Sequence, residues 1–359
     1  MTGSRAVVAA LFGRKPAERY GVYEHFWPET LRDYWPAEGY PKDANPELHF
    51  DYDIMNAGGW FDTSIWPGRD ELLDETEEWR VARDGRGAAL KYWKKKSGTP
   101  EHIGFEVTTP EAWKACRERL LGTDRSRINF DEARKGMALA REKGKFCVLG
   151  NLFVFELMRA TLGDETFLPA LLEEPEWVRD FCQVYLDFFI RHYTLLFAEA
   201  GVPDGMFIYE DLGYRNGPFC SPALTRELIM PYHRKLVDFF HSYGIPVLLH
   251  ACGDIRKVMP VIIETGWDCL QPMEAKSGCD VVALAREYGD RISFMGNIDV
   301  TVLNRNDRNL VRAEVERKVR ELKRLGASYF FHSDHSIPPD VRYETYKFAL
   351  GVFRENARL

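Results

Sequence analysis

The stretch LLHACGD, residues 248–254, sets His250 and Cys252 two positions apart directly after an apolar run. In extended chain, residues i and i+2 point to the same side, so this imidazole and this thiol lie together. Imidazole is a borderline ligand and thiolate a soft one. Both suit Zn2+, and one further donor would complete a three-ligand catalytic site with an open position. HSDHS, residues 332–336, offers donors for that role. The same pair also fits a hydrogen-bonded histidine at a strand end beside a buried filler cysteine, and the pair alone leaves both readings open.

The elements around these residues repeat. From residue 145 onward, short apolar strands alternate with helices: KFCVLGN, GMFIYEDLG, IPVLLHACG, WDCLQPME, RISFMGNID and ASYFFHSDH are the strands. Ser221 and Pro222 form a strong helix start, Pro231 predicts a kink in that helix, and a long helix is expected from Thr301 to Leu325. ELHFDYDI (47–54) and one more N-terminal strand bring the count to eight. The expected fold is therefore α/β, a (β/α)8 TIM barrel; no Gly-rich phosphate fingerprint favours a doubly wound sheet. Barrel chemistry lies at the C-terminal strand ends. Those ends read Asp53, Asn151, Glu210 and Asp211, His250 and Cys252, Gln271 and Glu274, Asn297 and Asp299, then His332, Asp334 and His335. Asp53, Glu210, Asp211 and His335 are the catalytic candidates; Asn151, Gln271 and Asn297 are the cofactor-binding ones. Glu210 and Asp211 serve equally well as helix caps or ion-pair partners.

The N-terminal third is irregular and aromatic, as in YGVYEHFWPETLRDYWPAEGYP (20–41), and Asp84-Gly85-Arg86-Gly87 marks a hairpin. One domain over residues 1–359 is expected. Residues 1–140 supply N-terminal helices, the first strands and a hairpin lid over the mouth, and residues 141–359 the regular β/α units. The 359 residues are 45% hydrophobic and 29% charged with net charge −7, which argues against a nucleic-acid or anionic-membrane binder. The seven cysteines are irregularly spaced and odd in number, and no signal or membrane-spanning run is visible. These features lead to the expectation of a cytoplasmic protein acting on a small molecule; a homodimer is compatible with them.

The motifs GRKPAER…FWPET, EDLG with GPFCSP, LLHACGDI, GDRISFMGNIDV and HSDHSIPPDV occur in an order and spacing that resembles the uroporphyrinogen decarboxylase-like superfamily. The resemblance spans most of the chain and is most specific over residues 205–345. It implies a (β/α)8 barrel and one of two chemistries. One is cofactor-free decarboxylation of uroporphyrinogen III. The other is methyl transfer from a methylated corrinoid to a thiol, with zinc held by an H-x-C pair and a cysteine near the last strand. His250 and Cys252 match the pair, and His335 stands at the third position in place of cysteine, with Asp334 as fallback. The arginine-rich propionate clamp of decarboxylases is absent, with Arg19 the nearest substitute, while Asp53 matches their substrate-facing aspartate. The resemblance thus implies a zinc methyltransferase with a corrinoid co-substrate or corrinoid protein partner. A decarboxylase, or a barrel that binds a tetrapyrrole or small acid without turnover, is the alternative.

Overall fold

The computed structural model describes residues 3–58, 61–96 and 98–359. Eight strands form one parallel sheet: β1 (Gly21–Val22), β2 (Ile54–Asn56), β3 (Phe146–Leu152), β4 (Gly205–Tyr209), β5 (Val247–Ala251), β6 (Cys269–Pro272), β7 (Ser293–Met295) and β8 (Tyr329–Phe331). They pair in the order β1-β8-β7-β6-β5-β4-β3-β2. The ring closes where Asp53 N–H donates to the Val22 carbonyl at 2.9 Å, joining β2 to β1. The strands are short and almost wholly apolar because helices cover their outer face. The helices include α1 (Ser4–Phe12), α2 (Val154–Leu162), α3 (Pro175–Ala200), α4 (Met230–Ser242), α5 (Arg308–Leu325) and α6 (Tyr343–Asn356). Among the described residues, no helix is long and apolar enough to cross a membrane.

The N-terminal end of the barrel is plugged by α1. Phe12 packs 5.4 Å from the Phe146 ring and 5.1 Å from that of Phe330, and the Leu11 carbonyl accepts from Ser293 Oγ. Gly21 is required beneath it, since a Cβ there would sit 2.2 Å from the Phe330 ring. The C-terminal end stays open and carries the polar strand ends.

Three local expectations change. ELHFDYDI is not one strand. Asn45 accepts from Leu48 N–H and, with Pro46, starts a short helix (Pro46–His49); β2 begins only at Ile54. Asp53 therefore precedes its strand. The helix expected over Thr301–Leu325 is broken, because the Asp307 carboxylate caps α5 at Asn309 and Leu310. Ser221 does cap its helix, and a π-helical turn (Thr225–Ile229) precedes Met230, so that Pro231 falls in the first turn of α4, where its missing N–H costs nothing.

The hairpin forms as Trp79–Asp84 and Ala88–Trp93 within a four-stranded antiparallel sheet that also holds Asp70–Glu75 and Glu101–Phe105. Its turn rests against Ser64 and Trp66, and Phe105 packs at Gly163 behind α2. Residues 23–27 follow β1 into the mouth. Phe26 packs on Trp35 and Tyr346, and Trp27 stacks on His335 at 5.8 Å.

Candidate functional site

LLHACGD folds as β5 and the loop after it. Gly253 adopts φ +79°, and a Cβ there would lie 2.3 Å from the Gly213 backbone, so the loops after β4 and β5 touch. Asp254 N–H donates to the Tyr214 carbonyl at 2.8 Å and locks that contact. The close approach brings Asp211 against the H-x-C pair. Asp211 Oδ1 accepts the Cys252 N–H at 3.0 Å and lies 3.2 Å from His250 Nε2, which is 3.2 Å from Cys252 Sγ. The other ring nitrogen of His250 bonds to the Gln271 side-chain oxygen, and Gln271 Nε2 reaches His332 Nε2 at 3.2 Å.

Two groups of donors result. Asp211, His250 and Cys252 form one; Cys252, Glu274 and His335 form the other. Within each group the donor atoms all lie within 4.8 Å of one another. Cys252 is common to both. Tetrahedral zinc with bonds of ~2.0–2.3 Å sets its ligand atoms about 3.3–3.8 Å apart, so small side-chain shifts suffice for either group. The charges also match a cation. Among the described residues neither Asp211 nor Glu274 is ion-paired to Lys or Arg. Burial, and then the charges of Asp211 and Glu274, hold the Cys252 thiol well above its usual range. A thiol among carboxylates becomes a thiolate only beside a cation. Burial is the largest influence on His250 and works against its charge, but the bond and charge of Asp211, with the Gln271 bond and the Glu156 charge, together outweigh it and raise its pKa. Against its own burial, Asp211 is drawn down by the same bond. Burial lowers His335.

Deeper in the mouth, at the end of β1, lie Glu24 and His25. Glu24 accepts from Ser333 N–H and Oγ at 2.9 and 2.8 Å, and burial pushes its carboxyl up to about 8. His25 Nδ1 meets His332 Nε2 at 3.2 Å, and burial keeps His25 well below the ordinary range. A polar line therefore runs from His25 through His332 and Gln271 to His250. Beside His250 is a cavity of about 240 Å³ lined by Leu152, Glu156, Tyr209 and Asp211.

Several sequence candidates lie elsewhere. Asp53 stands before β2, at the opposite end of the barrel, bound by both Arg19 amino groups (2.7 and 2.6 Å) and by Val22 N–H. Arg19 is occupied by the same pair. Glu210 is fully buried and caps α2: its carboxylate accepts from Phe155 N–H at 3.0 Å and Glu156 N–H at 2.8 Å, and lies 2.6 Å from His233. That replaces the side-chain cap that Phe153 cannot give. Asn297 ties the loop after β7 to the segment after β6, donating to Met273 and Cys279 carbonyls and accepting from Val281 N–H. Asn151 pairs in register with Ile208 and turns outward to Tyr193 of α3, while Gly150 faces inward against Tyr209. Asp334 accepts from Ala275 and Val300 N–H and is not a spare ligand. Gln271 reaches His250 rather than open space. At the mouth Cys252 stands with His250 and Asp211 in one group and with His335 in the other, so the expected trio of His250, Cys252 and His335 is not gathered within 4.8 Å. Glu274, already visible in WDCLQPME, joins them as a donor, and Glu156, Tyr209, Glu24 and His25 are additions. His25 sits in the aromatic stretch 20–41, whose strand is too short to read.

A family model described as uroporphyrinogen decarboxylase (URO-D) matches residues 154–355, more than half of the chain. A methylated-thiol–coenzyme M methyltransferase from Methanosarcina mazei is 31% identical over 86 residues, 24% of this chain and 22% of that protein. A uroporphyrinogen decarboxylase from Pseudomonas fluorescens is 30% identical over 132 residues, 36% of each chain. The chain thus spans well under half the length of either curated relative. Among solved structures, a methyltransferase from Methanosarcina mazei superposes with a TM-score of 0.69 at 15% identity over 99% of both chains, a likeness of fold. With a closed parallel barrel and its polar groups gathered at the C-terminal mouth, the chain belongs to the uroporphyrinogen decarboxylase family.

Proposed function

We propose that this protein is a zinc-dependent methyltransferase that moves a methyl group from a corrinoid, free or carried on a partner protein, to the sulfur of a small thiol. The observation that supports this reading is the pair of donor groups sharing Cys252. One thiolate with imidazoles and carboxylates is a donor set zinc accepts. Cys252 would hold the ion, with His250 and Asp211 to one side and Glu274 and His335 to the other. Bound there, zinc would supply the Lewis acidity that lets an incoming thiol lose its proton at neutral pH. The chain's own residues set up the rest. Gln271 fixes the His250 ring, Asp211 holds the Cys252 backbone, and Trp27 stacks on His335. The acceptor sulfur would form the S–C bond as its proton passes to solvent, and the corrinoid co-substrate would give up the methyl group with the electron pair of the carbon–cobalt bond staying on cobalt.

Decarboxylation of uroporphyrinogen is the second reading, favoured by the match to the Pseudomonas fluorescens decarboxylase. Three features weigh against it. Asp53 and Arg19 are locked together at the far end of the barrel. The cavity of about 240 Å³ lies below the ~300–1,000 Å³ of clefts for drug-sized ligands, and a tetrapyrrole needs more. Among the described residues that line it there is no Lys or Arg to pair with a substrate rich in carboxylates. Zinc-supplied protein is expected to demethylate methylcobalamin in the presence of 2-mercaptoethanol, followed by cobalamin absorption, and His250→Ala to lose that activity. Carbon dioxide release from uroporphyrinogen without methyl transfer would establish the second reading instead.

A further inference from the structure

Gln271 is the pivot of the polar line that ends at His250. A side-chain amide fits either way round with almost no change of shape, oxygen to one neighbour and NH2 to the other. Here the choice decides which nitrogen of His250 carries a proton. Oxygen toward Nδ1 requires a proton there. Nε2, 3.2 Å from both Asp211 Oδ1 and Cys252 Sγ, is then the nitrogen that can give its lone pair to a cation. NH2 toward Nδ1 would do the reverse and turn a fixed N–H on the donor group.

The surroundings leave the amide one orientation. His332 is fully buried, with its Nε2 3.2 Å from Gln271 Nε2 and 3.2 Å from His25 Nδ1. Its other nitrogen, Nδ1, lies 2.6 Å from the Ser333 carbonyl, which can only accept, so Nδ1 carries the proton. Glu24 Oε1 stands 3.2 Å from the same nitrogen, but Ser333 Oγ and His25 N–H occupy it. Burial brings the His332 pKa down to about 3, so the ring is neutral and its Nε2 is a bare acceptor. That nitrogen takes the Gln271 NH2 and the His25 Nδ1–H, and the Gln271 oxygen is left for His250 Nδ1. Gln271 and His250 stand in register on β6 and β5, while His332 follows β8, so the link crosses the mouth.

Resting on the metal reading above for its consequence, we infer that His332 is a positioning residue: held by the Ser333 carbonyl, it orients the Gln271 amide, keeps the His250 proton on Nδ1 and so presents His250 to a metal ion through Nε2. Neither the H-x-C pair nor Gln271 fixes that choice alone.

Nitrogen NMR of the full chain with isotope-labelled histidine reads the tautomers directly. Metal-free wild type is expected to show His332 as a neutral ring protonated at Nδ1 only, and His250 with a proton on Nδ1. With cadmium added as the probe, His250 should couple to the metal at Nε2 and keep the Nδ1 proton. His332→Leu, checked for folding by circular dichroism, removes the acceptor, and zinc affinity in competition with a chelating dye should fall ~10–100-fold. His332→Gln puts an amide oxygen near the place of the lost Nε2 and should stay within a few-fold of wild type. His332 protonated at Nε2, cadmium bound through His250 Nδ1, or wild-type zinc affinity in His332→Leu overturns the inference. The wild-type spectra decide it even where His332→Leu fails to fold. They also separate it from the reading it rests on. The expected protons on His332 and His250 in a protein that binds neither zinc nor cadmium uphold the tautomer relay and remove the metal reading. Metal held through His250 Nδ1 upholds the metal reading and removes the relay.

Discussion

The two ends of the barrel carry the same residue types and use them differently. At the N-terminal end, acidic groups standing just before strands each have a basic partner: Asp53 with Arg19, Asp204 with Arg5, Asp51 with Lys145 and Asp268 with His241. At the C-terminal end, Asp211 and Glu274 have no Lys or Arg partner among the described residues, and they stand beside imidazoles and a thiol instead. A carboxylate that has its counter-charge built in holds the fold together. One that shares space with His and Cys and lacks such a charge is placed to bind a cation. The difference therefore separates stability from ligand binding, end by end.

Substitutions at the two ends should part in the same way. The largest effect is expected at the closed end. Asp53→Ala leaves Arg19 without its bidentate partner and removes the acceptor for Val22 N–H at the barrel seam, costing about 3 kcal/mol. Thermal unfolding should show the loss, with zinc stoichiometry unchanged. If Asp53→Ala lost zinc instead, the division between the ends would fail. Next, Gln271→Ala removes the acceptor that orients His250, and zinc affinity should fall ~10–100-fold in a competition with a chelating dye, with little change in melting temperature. The smallest effect concerns pH. Asp268 raises the His241 pKa above its ordinary 6.5, against partial burial. The folded state thus holds the proton more tightly than the unfolded one. The contribution is fully present below about pH 6.5 and is lost as pH rises through the higher folded value. Both groups are partly exposed, so it amounts to under ~1 kcal/mol. Asp268→Asn keeps an acceptor for Val247 N–H and should flatten stability across that window in denaturant titrations at several pH values.

The comparison also explains what the sequence could reveal. Strand–helix alternation from residue 145 carried the barrel, because buried parallel strands are apolar throughout and end at polar residues. His250 and Cys252 were legible since β5 is five residues long and its end is sharp. Asp53 was misread because β2 has three residues and the preceding segment alternates like a strand; a boundary error of a few residues moves a side chain to the opposite end of the barrel. Glu210 and Asp211 are adjacent and have opposite fates, one capping α2 and one facing the mouth, and only the path of the chain after β4 separates them. His25 was hidden because β1 is two residues long and has no pattern to read.

The central claim is that the mouth holds a cation through Cys252 and its neighbours. It is tested most directly by zinc content after purification and dialysis against zinc-containing buffer. Wild-type protein is predicted to hold about one zinc per chain, and Cys252→Ser and His335→Ala, folded by circular dichroism, well below that. Wild-type protein that stays free of metal when zinc is offered, or a Cys252→Ser variant that keeps its full complement, would contradict the account.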